Sequence, residues 1–318
     1  RSWNMGAERA GYIPGLVGLA AWLSVTNTSH MVDGAKEAFT GIAGNELGAT
    51  GLFTGMIIGV LSVELFCFFE KQDALKIKMP EQVPPGVARA FEVLVPATIT
   101  LIITACIGSA CYNLTGLYLN DVIKNGIQGP LGAVGATIPG VMIIYLVIML
   151  FWLVGIHGNN MVAAVKEPIF RPLLYANTAA YTAGAAQKDI PYVMNLTMLQ
   201  MFGEFGGSGV TIGLVIAIMI FGKREDNKAI ASLSLVPGLF NINETVTFGI
   251  PMVLNPILGI PFVVAPLVTI IIGYVLTVIG FCPVACLTVP WTTPPIVFGF
   301  LACGANVMGA VTQAILIV

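Results

Sequence analysis

Two stretches of this chain, Val93–Leu119 and Leu131–Ile156, carry no Asp, Glu, Lys or Arg at all. Each exceeds the roughly 20 residues that an α-helix needs to cross about 30 Å of hydrocarbon. Lipid offers no hydrogen bonds to a bare backbone, so only helices and closed barrels span it. A barrel strand alternates apolar and polar residues, and these runs do not alternate. The chain therefore reads as helical and membrane-embedded. Composition agrees: 57% of the 318 residues are hydrophobic and 9% are charged, with a mean hydropathy of +0.90. A soluble domain holds about 25% charged residues, and a chain with this few could not cover itself with a wettable surface.

Apolar runs predict spanning or interfacial helices around Gly11–Thr26, Leu47–Phe69, Phe91–Leu114 and Thr137–Val154, then Tyr192–Phe221, Leu254–Phe281 and Ile296–Val318. Two further regions, His157–Asn177 and Ser232–Pro256, fit no simple span, because Gly, Pro, Asn and ionisable residues interrupt them. Broken backbone survives at membrane depth only where protein buries it or it lines a watery cavity, and transporter sites are commonly built from such breaks. Lys and Arg collect in Glu70–Arg89 and Gly222–Lys228, which places both in the cytoplasm; Leu117–Gln128, with Lys124 alone, is the extracellular candidate. The polar stub Arg1–Arg9 begins without Met and has no signal-peptide pattern, so part of the protein is expected upstream of it.

Several function classes drop out. The net charge is −2 and there is no basic stripe, so nucleic acid is not an expected partner. Nearly all six cysteines sit inside apolar runs. Cys282 and Cys286 have no second Cys or His pair nearby, and His30 and His157 have no metal-ligand spacing. Neither a metal nor a cofactor is expected. Gly206-Gly207-Ser208-Gly209 lacks the Lys of a phosphate loop and reads as a helix break or a close backbone approach.

The sharpest chemistry lies in Phe240-Asn241-Ile242-Asn243-Glu244-Thr245-Val246-Thr247-Phe248-Gly249-Ile250-Pro251. Glu244 has apolar neighbours and no basic residue within ten positions. A carboxylate in a membrane is costly enough that its default reading is functional. Beside Asn241 and Asn243 it suits sugar hydroxyls, which both donate and accept. The alternative is a structural bond tying the loop to a neighbour. A second cluster is Trp152-Leu153-Val154-Gly155-Ile156-His157-Gly158-Asn159-Asn160. There His157 follows an uncharged helix, and the two glycines let backbone pass close to a ligand. Trp152 and Trp291 each offer an indole face for a pyranose, the alternative being an interfacial belt. Asp33, Glu46 and Glu64 have no evident partner in the sequence, and Lys166, Glu167 and Arg171 read as a solvated rim.

Five motifs then occur in the order of a known family: Ile77-Lys78-Met79-Pro80-Glu81-Gln82-Val83-Pro84-Pro85, Gly155-Ile156-His157-Gly158, Gly206-Gly207-Ser208-Gly209, Phe240-Asn241-Ile242-Asn243-Glu244 with Phe248-Gly249-Ile250-Pro251, and Pro290-Trp291-Thr292. Over essentially its whole length the chain resembles enzyme IIC, the membrane component of the lactose/cellobiose/diacetylchitobiose phosphotransferase family. Thr245 departs from the pattern, since the family more often has Pro there. The family also begins with about two more spanning helices than this chain has. The resemblance implies an all-α, polytopic transmembrane bundle with two re-entrant hairpins, in the inner membrane of a bacterium. It implies a homodimer whose N-terminal half, residues 1–136, forms the subunit interface, and a C-terminal half, 137–318, that binds and carries the sugar. In that reading His157 and Glu244 serve the hydroxyl that becomes phosphorylated, while Trp152, Asn160, Asn243 and Trp291 complete a disaccharide pocket. Phosphate would arrive from a phosphocysteine on a separate IIB protein, itself charged by IIA. The competing expectation is an ion-coupled secondary sugar transporter, which would share the broken helices and buried Glu. An intramembrane hydrolase using Glu244 and His157 lacks a second catalytic carboxylate or a metal cluster.

Overall fold

The computed structural model describes residues 12–30, 39–42, 44–48, 51–80 and 82–317. His30 has only its backbone described, while the stub Arg1–Arg9 and Asp33 lie outside the described residues. The chain divides into two compact units, Arg1–Pro130 and Leu131–Val318. Apart from an antiparallel pairing of Ser29–His30 with Phe39–Thr40, the regular structure among the described residues is helical.

In the first unit, α1 (Ile13–Val25) is followed by the short α2 (Gly44–Leu47), α3 (Leu52–Glu70), α4 (Pro85–Thr115) and α5 (Leu119–Ile123). Helices α1, α3 and α4 pack on one another around Val17, Phe66, Cys67 and Val93 in one layer and Ala21, Val25 and Ile58 in the next. Polar groups buried between them are satisfied locally. Thr100 returns its hydroxyl to the Pro96 carbonyl at 2.8 Å, and Thr54 donates to Asn120 Oδ1 at 2.7 Å. The hydrophilic stretch Glu70–Arg89 is closed at its ends by an ion pair, Arg89 Nη2 to Glu70 Oε1 at 2.7 Å. Glu70 is only 2% exposed, so removing Arg89 would strand a buried carboxylate.

The second unit begins within α6 (Gly129–Gly135) and continues through α7 (Ile138–Leu153), α8 (Gly158–Thr182), α9 (Leu196–Gly203), α10 (Ile212–Phe221), α11 (Glu225–Leu239), α12 (Glu244–Gly249), α13 (Pro256–Val278), α14 (Val297–Ala302) and α15 (Val307–Ile317). Its core is large and aromatic, built on Tyr145, Phe170, Phe202, Phe262 and their aliphatic neighbours. Helix α13 turns Phe262, Ile270 and Gly273 inward and leaves Ile257, Ile260, Val264, Val268 and Ile272 exposed. An apolar stripe of that length on the outside of a helix suits lipid or another apolar surface. At the start of α11, Arg224 pairs with the exposed Asp226 at 2.6 Å, and this hydrogen bond lowers the Asp226 carboxyl from its ordinary value.

Three of the helices, Leu52–Glu70, Pro85–Thr115 and Pro256–Val278, are individually long and apolar enough to cross a membrane. Two other expected spans are broken. Tyr192–Phe221 divides into α9 and α10 around the glycine-rich turn, and Ile296–Val318 divides into α14 and α15. The first divides at the Gly206–Gly209 break that the glycine run implies, with Gly206, Gly207 and Gly209 at positive φ; the second turns at Gly304 and Ala305, whose positive φ hydropathy does not register. The opposite correction applies to His157–Asn177, expected to be interrupted: α8 runs unbroken through Pro168 and Pro172. A buried face of Val162, Lys166, Phe170, Leu174 and Asn177 recurs there at helical spacing, and tertiary packing along it outweighs the lost backbone bonds. Ser232–Pro256 is broken as its composition suggests, at 240–243 and 250–255.

Candidate functional site

Four breaks in the second unit converge on one cavity of about 350 Å³, a volume in the range of small-molecule sites. They are the junctions between α7 and α8, α9 and α10, and α11 and α12, together with the segment leading to α14. Side-chain amides bolt these loops together. Asn241, in the left-handed region at φ 63°, donates from Nδ2 to the carbonyls of Trp291 (2.6 Å) and Thr293 (2.9 Å). Its Oδ1 accepts the Gly206 N–H at 2.7 Å. Asn243 donates to the Ser208 carbonyl at 2.5 Å, and Asn159 donates to the Ser208 hydroxyl at 2.9 Å. Gly207 lies at φ 93°, and a Cβ there would overlap the Asn243 side chain, so the glycine-rich turn is a close backbone approach.

On this frame His157 caps α8: its Nδ1 accepts the Asn160 N–H at 3.3 Å. Accepting at Nδ1 assigns the ring proton of the neutral imidazole to Nε2. That nitrogen stands 3.8 Å from Glu244 Oε1, too far for a direct hydrogen bond. Glu244 opens α12, and its Oε2 is buried without a hydrogen-bond partner. The Nε2 donor therefore faces Glu244 Oε1 across a gap that one hydroxyl bonded to both could bridge.

His157, Asn160, Asn243, Glu244 and Trp291 all line the cavity, as does Asn241. Trp291 is 55% exposed. Trp152 stands apart from them. It is 1% exposed, absent from the cavity wall, and its ring packs on His157 with centroids 4.4 Å apart. Its indole face is occupied by protein, so the sugar-stacking role expected for it gives way to supporting the imidazole. Gly158 is also explained differently. A Cβ there would strike the Ile148 carbonyl and the Trp152 ring, so its close approach is to α7.

Lys166 was expected on a solvated rim, but it is 4% exposed and lines the cavity. Its Nζ donates to Glu204 Oε1 at 2.7 Å, and the Tyr145 hydroxyl lies 2.8 Å from the same oxygen. Glu167 and Arg171 do form a partly exposed i,i+4 pair. The sequence reading passed over Glu204, although it meets the criterion applied to Glu244: Met201-Phe202-Gly203-Glu204-Phe205 surrounds it with apolar residues and no base is near. No group of three or more His, Cys, Asp or Glu among the described residues has a metal-site arrangement.

Residues 3–266 match the family described as the phosphotransferase system EIIC. The chain belongs to this family. Among relatives of this EIIC chain, the oligo-beta-mannoside-specific EIIC component of Bacillus subtilis (strain 168) is 38% identical over 282 residues, covering 88% of this chain and 63% of that one. The lichenan permease IIC component of the same organism is 36% identical, covering 95% and 67%. The cellobiose-specific EIIC component of Lactococcus lactis subsp. lactis (strain IL1403) is 37% identical, covering 90% and 58%. The chain thus spans about two thirds or less of the length of these relatives. Among solved structures, the transporter ChbC, the IIC component of an N,N'-diacetylchitobiose-specific phosphotransferase system, matches with a TM-score of 0.85 and 33% identity over 97% of this chain and 74% of that one. As a helical EIIC-family chain with several apolar helices, it is a multi-pass membrane protein.

Proposed function

We propose that this EIIC-family chain is the sugar-carrying part of a phosphoenolpyruvate-dependent phosphotransferase permease for a disaccharide of the cellobiose, diacetylchitobiose or lactose type. The observation that carries the reading is the pair of His157 Nε2 and Glu244 Oε1, 3.8 Å apart on the wall of one cavity. A sugar hydroxyl bridging the gap would accept from the imidazole N–H and donate to Glu244 Oε1.

The phosphoryl donor in this reading is a phosphocysteine on a cytoplasmic IIB protein, supplied in turn by IIA. The sugar oxygen attacks phosphorus, an O–P bond forms, the S–P bond breaks, and the thiolate leaves. The hydroxyl proton passes to Glu244, because His157 Nδ1 is engaged by the helix and Nε2 already carries a proton. His157 then orients the hydroxyl as a donor. Asn160, Asn243 and Trp291 contribute polar groups and an indole face to the cavity, and Trp152 acts through His157. Partnership with IIB is supported by relatives such as the lactose-specific EIICB component of Streptococcus mutans serotype c (strain ATCC 700610 / UA159), 33% identical over 289 residues.

The same reading places the protein in a bacterial cytoplasmic membrane as a homodimer, with the first unit at the subunit interface and the broken helices of the second unit entering the membrane as re-entrant hairpins. Uptake of radiolabelled cellobiose into membrane vesicles containing the full-length protein tests it. Accumulation as sugar phosphate that needs phosphoenolpyruvate and the phosphocarrier proteins is expected. Accumulation of free sugar driven by a proton or sodium gradient would favour a secondary transporter instead.

A further inference from the structure

Lys166 and Glu204 form an ion pair whose side chains are 5% and 16% exposed, and both residues line the cavity. Replacing a buried ion pair with apolar residues of similar size is often neutral or stabilising, so stability alone does not account for it. Its bonding is also incomplete. Glu204 Oε1 takes the Lys166 ammonium at 2.7 Å and the Tyr145 hydroxyl at 2.8 Å, while Oε2 has no hydrogen-bond partner among the described residues. The ammonium has three N–H donors and spends one of them on Glu204. Tyr145, fully buried, holds the carboxylate from behind. What remains is a fixed carboxylate oxygen and two free ammonium donors on a cavity wall.

The pair is also displaced from the His157–Glu244 centre. Lys166 follows His157 by nine residues along α8, an axial rise of about 13 Å. That rise separates the backbones, and the long Lys166 side chain leans back toward the helix N-terminus and shortens it. Glu204 belongs to a different element, the turn after α9, so the two charges meet from separate segments.

Building on the disaccharide reading above, we propose that Lys166 and Glu204 form the subsite for the sugar ring remote from Glu244. Neighbouring ring hydroxyls there donate to Glu204 Oε2 and accept from Lys166 Nζ. The subsite makes the cavity select a disaccharide over a single ring, since a monosaccharide seated at Glu244 leaves the ion pair half-satisfied.

The experiment compares binding of cellobiose and methyl β-glucoside to the purified full-length protein and to its Lys166→Met/Glu204→Gln double variant, which leaves no unpaired charge behind. The parent is expected to prefer cellobiose. In the double variant cellobiose affinity should fall about tenfold or more, while methyl β-glucoside affinity stays within about twofold, so that the preference collapses. An equal loss for both sugars would make the pair a structural prop and overturn the subsite, and so would an unchanged preference. A parent that binds neither these sugars nor diacetylchitobiose nor lactose would overturn the disaccharide reading itself. A second arm needs no variant: cellobiose analogues lacking single hydroxyls on either ring are titrated against the parent. At least one deletion on the ring remote from the phosphorylated hydroxyl should cost about tenfold or more, because it leaves a buried charged group unpaired. Full affinity for every analogue altered on that ring would overturn the proposal even if the double variant fails to fold.

Discussion

At the scale of single residues, the chemistry rests on one carboxylate and one imidazole in defined bonding states. Glu244→Gln keeps the shape of the side chain but removes its charge. Charge-assisted hydrogen bonds are roughly twice as strong as neutral ones, so disaccharide affinity is expected to drop by about tenfold or more. Unchanged affinity and uptake would remove Glu244 from the site. His157→Gln separates two roles. With Nδ1 capping α8 and Nε2 donating, His157 orients the hydroxyl without taking its proton, so binding and IIB-dependent phosphorylation should fall by the same factor. A further loss of about 10²–10⁴-fold in the phosphorylation step alone would identify His157 as the general base. The two tryptophans separate in a similar way. Trp291 is exposed on the cavity wall, so saturating disaccharide should perturb its fluorescence, and Trp291→Leu should abolish that change. A fluorescence change surviving in Trp291→Leu would assign it to another indole.

At the scale of elements, the site is made of helix ends and the turns that join them. The turn between α9 and α10 uses positive φ to bring its backbone against Asn243, and Asn243 returns a hydrogen bond to Ser208. Gly207→Ala therefore combines backbone strain, of order 1–3 kcal/mol, with a collision against the site's own amide. Gly184→Ala is the matched control: its φ is 85°, but nothing lies within 4 Å of the added carbon. Both variants should lower the thermal midpoint, and only Gly207→Ala should also weaken disaccharide binding. Equal binding in the two would mean that the position of Asn243 does not matter to the ligand.

At the scale of the whole molecule, a cavity that gathers loops from four breaks couples ligand binding to the stability of the second unit. A disaccharide present at a hundred times its Kd should stabilise the folded protein by about 2.7 kcal/mol, through mass action alone. In detergent this is read as an upward shift of the thermal unfolding midpoint with cellobiose and none with a sugar alcohol that does not bind. No shift with any β-linked disaccharide or with lactose would argue against the cavity as a sugar site.

What the sequence determined by itself was whatever depends on local composition. Charge-free runs required helices in lipid, and a lone carboxylate between apolar neighbours pointed to Glu244. The same criterion would have found Glu204 had it been applied there. Tertiary structure decided what depends on neighbours distant in the chain. It kept α8 continuous through two prolines because one of its faces packs against the core, and it divided Ile296–Val318 at the positive-φ pair Gly304 and Ala305. It buried Trp152 beneath His157, and it joined Lys166 to Glu204 across 38 residues. Hydropathy sums over neighbours along the chain, whereas burial and pairing are set by contacts in space, so these last facts had no local signature from which to read them.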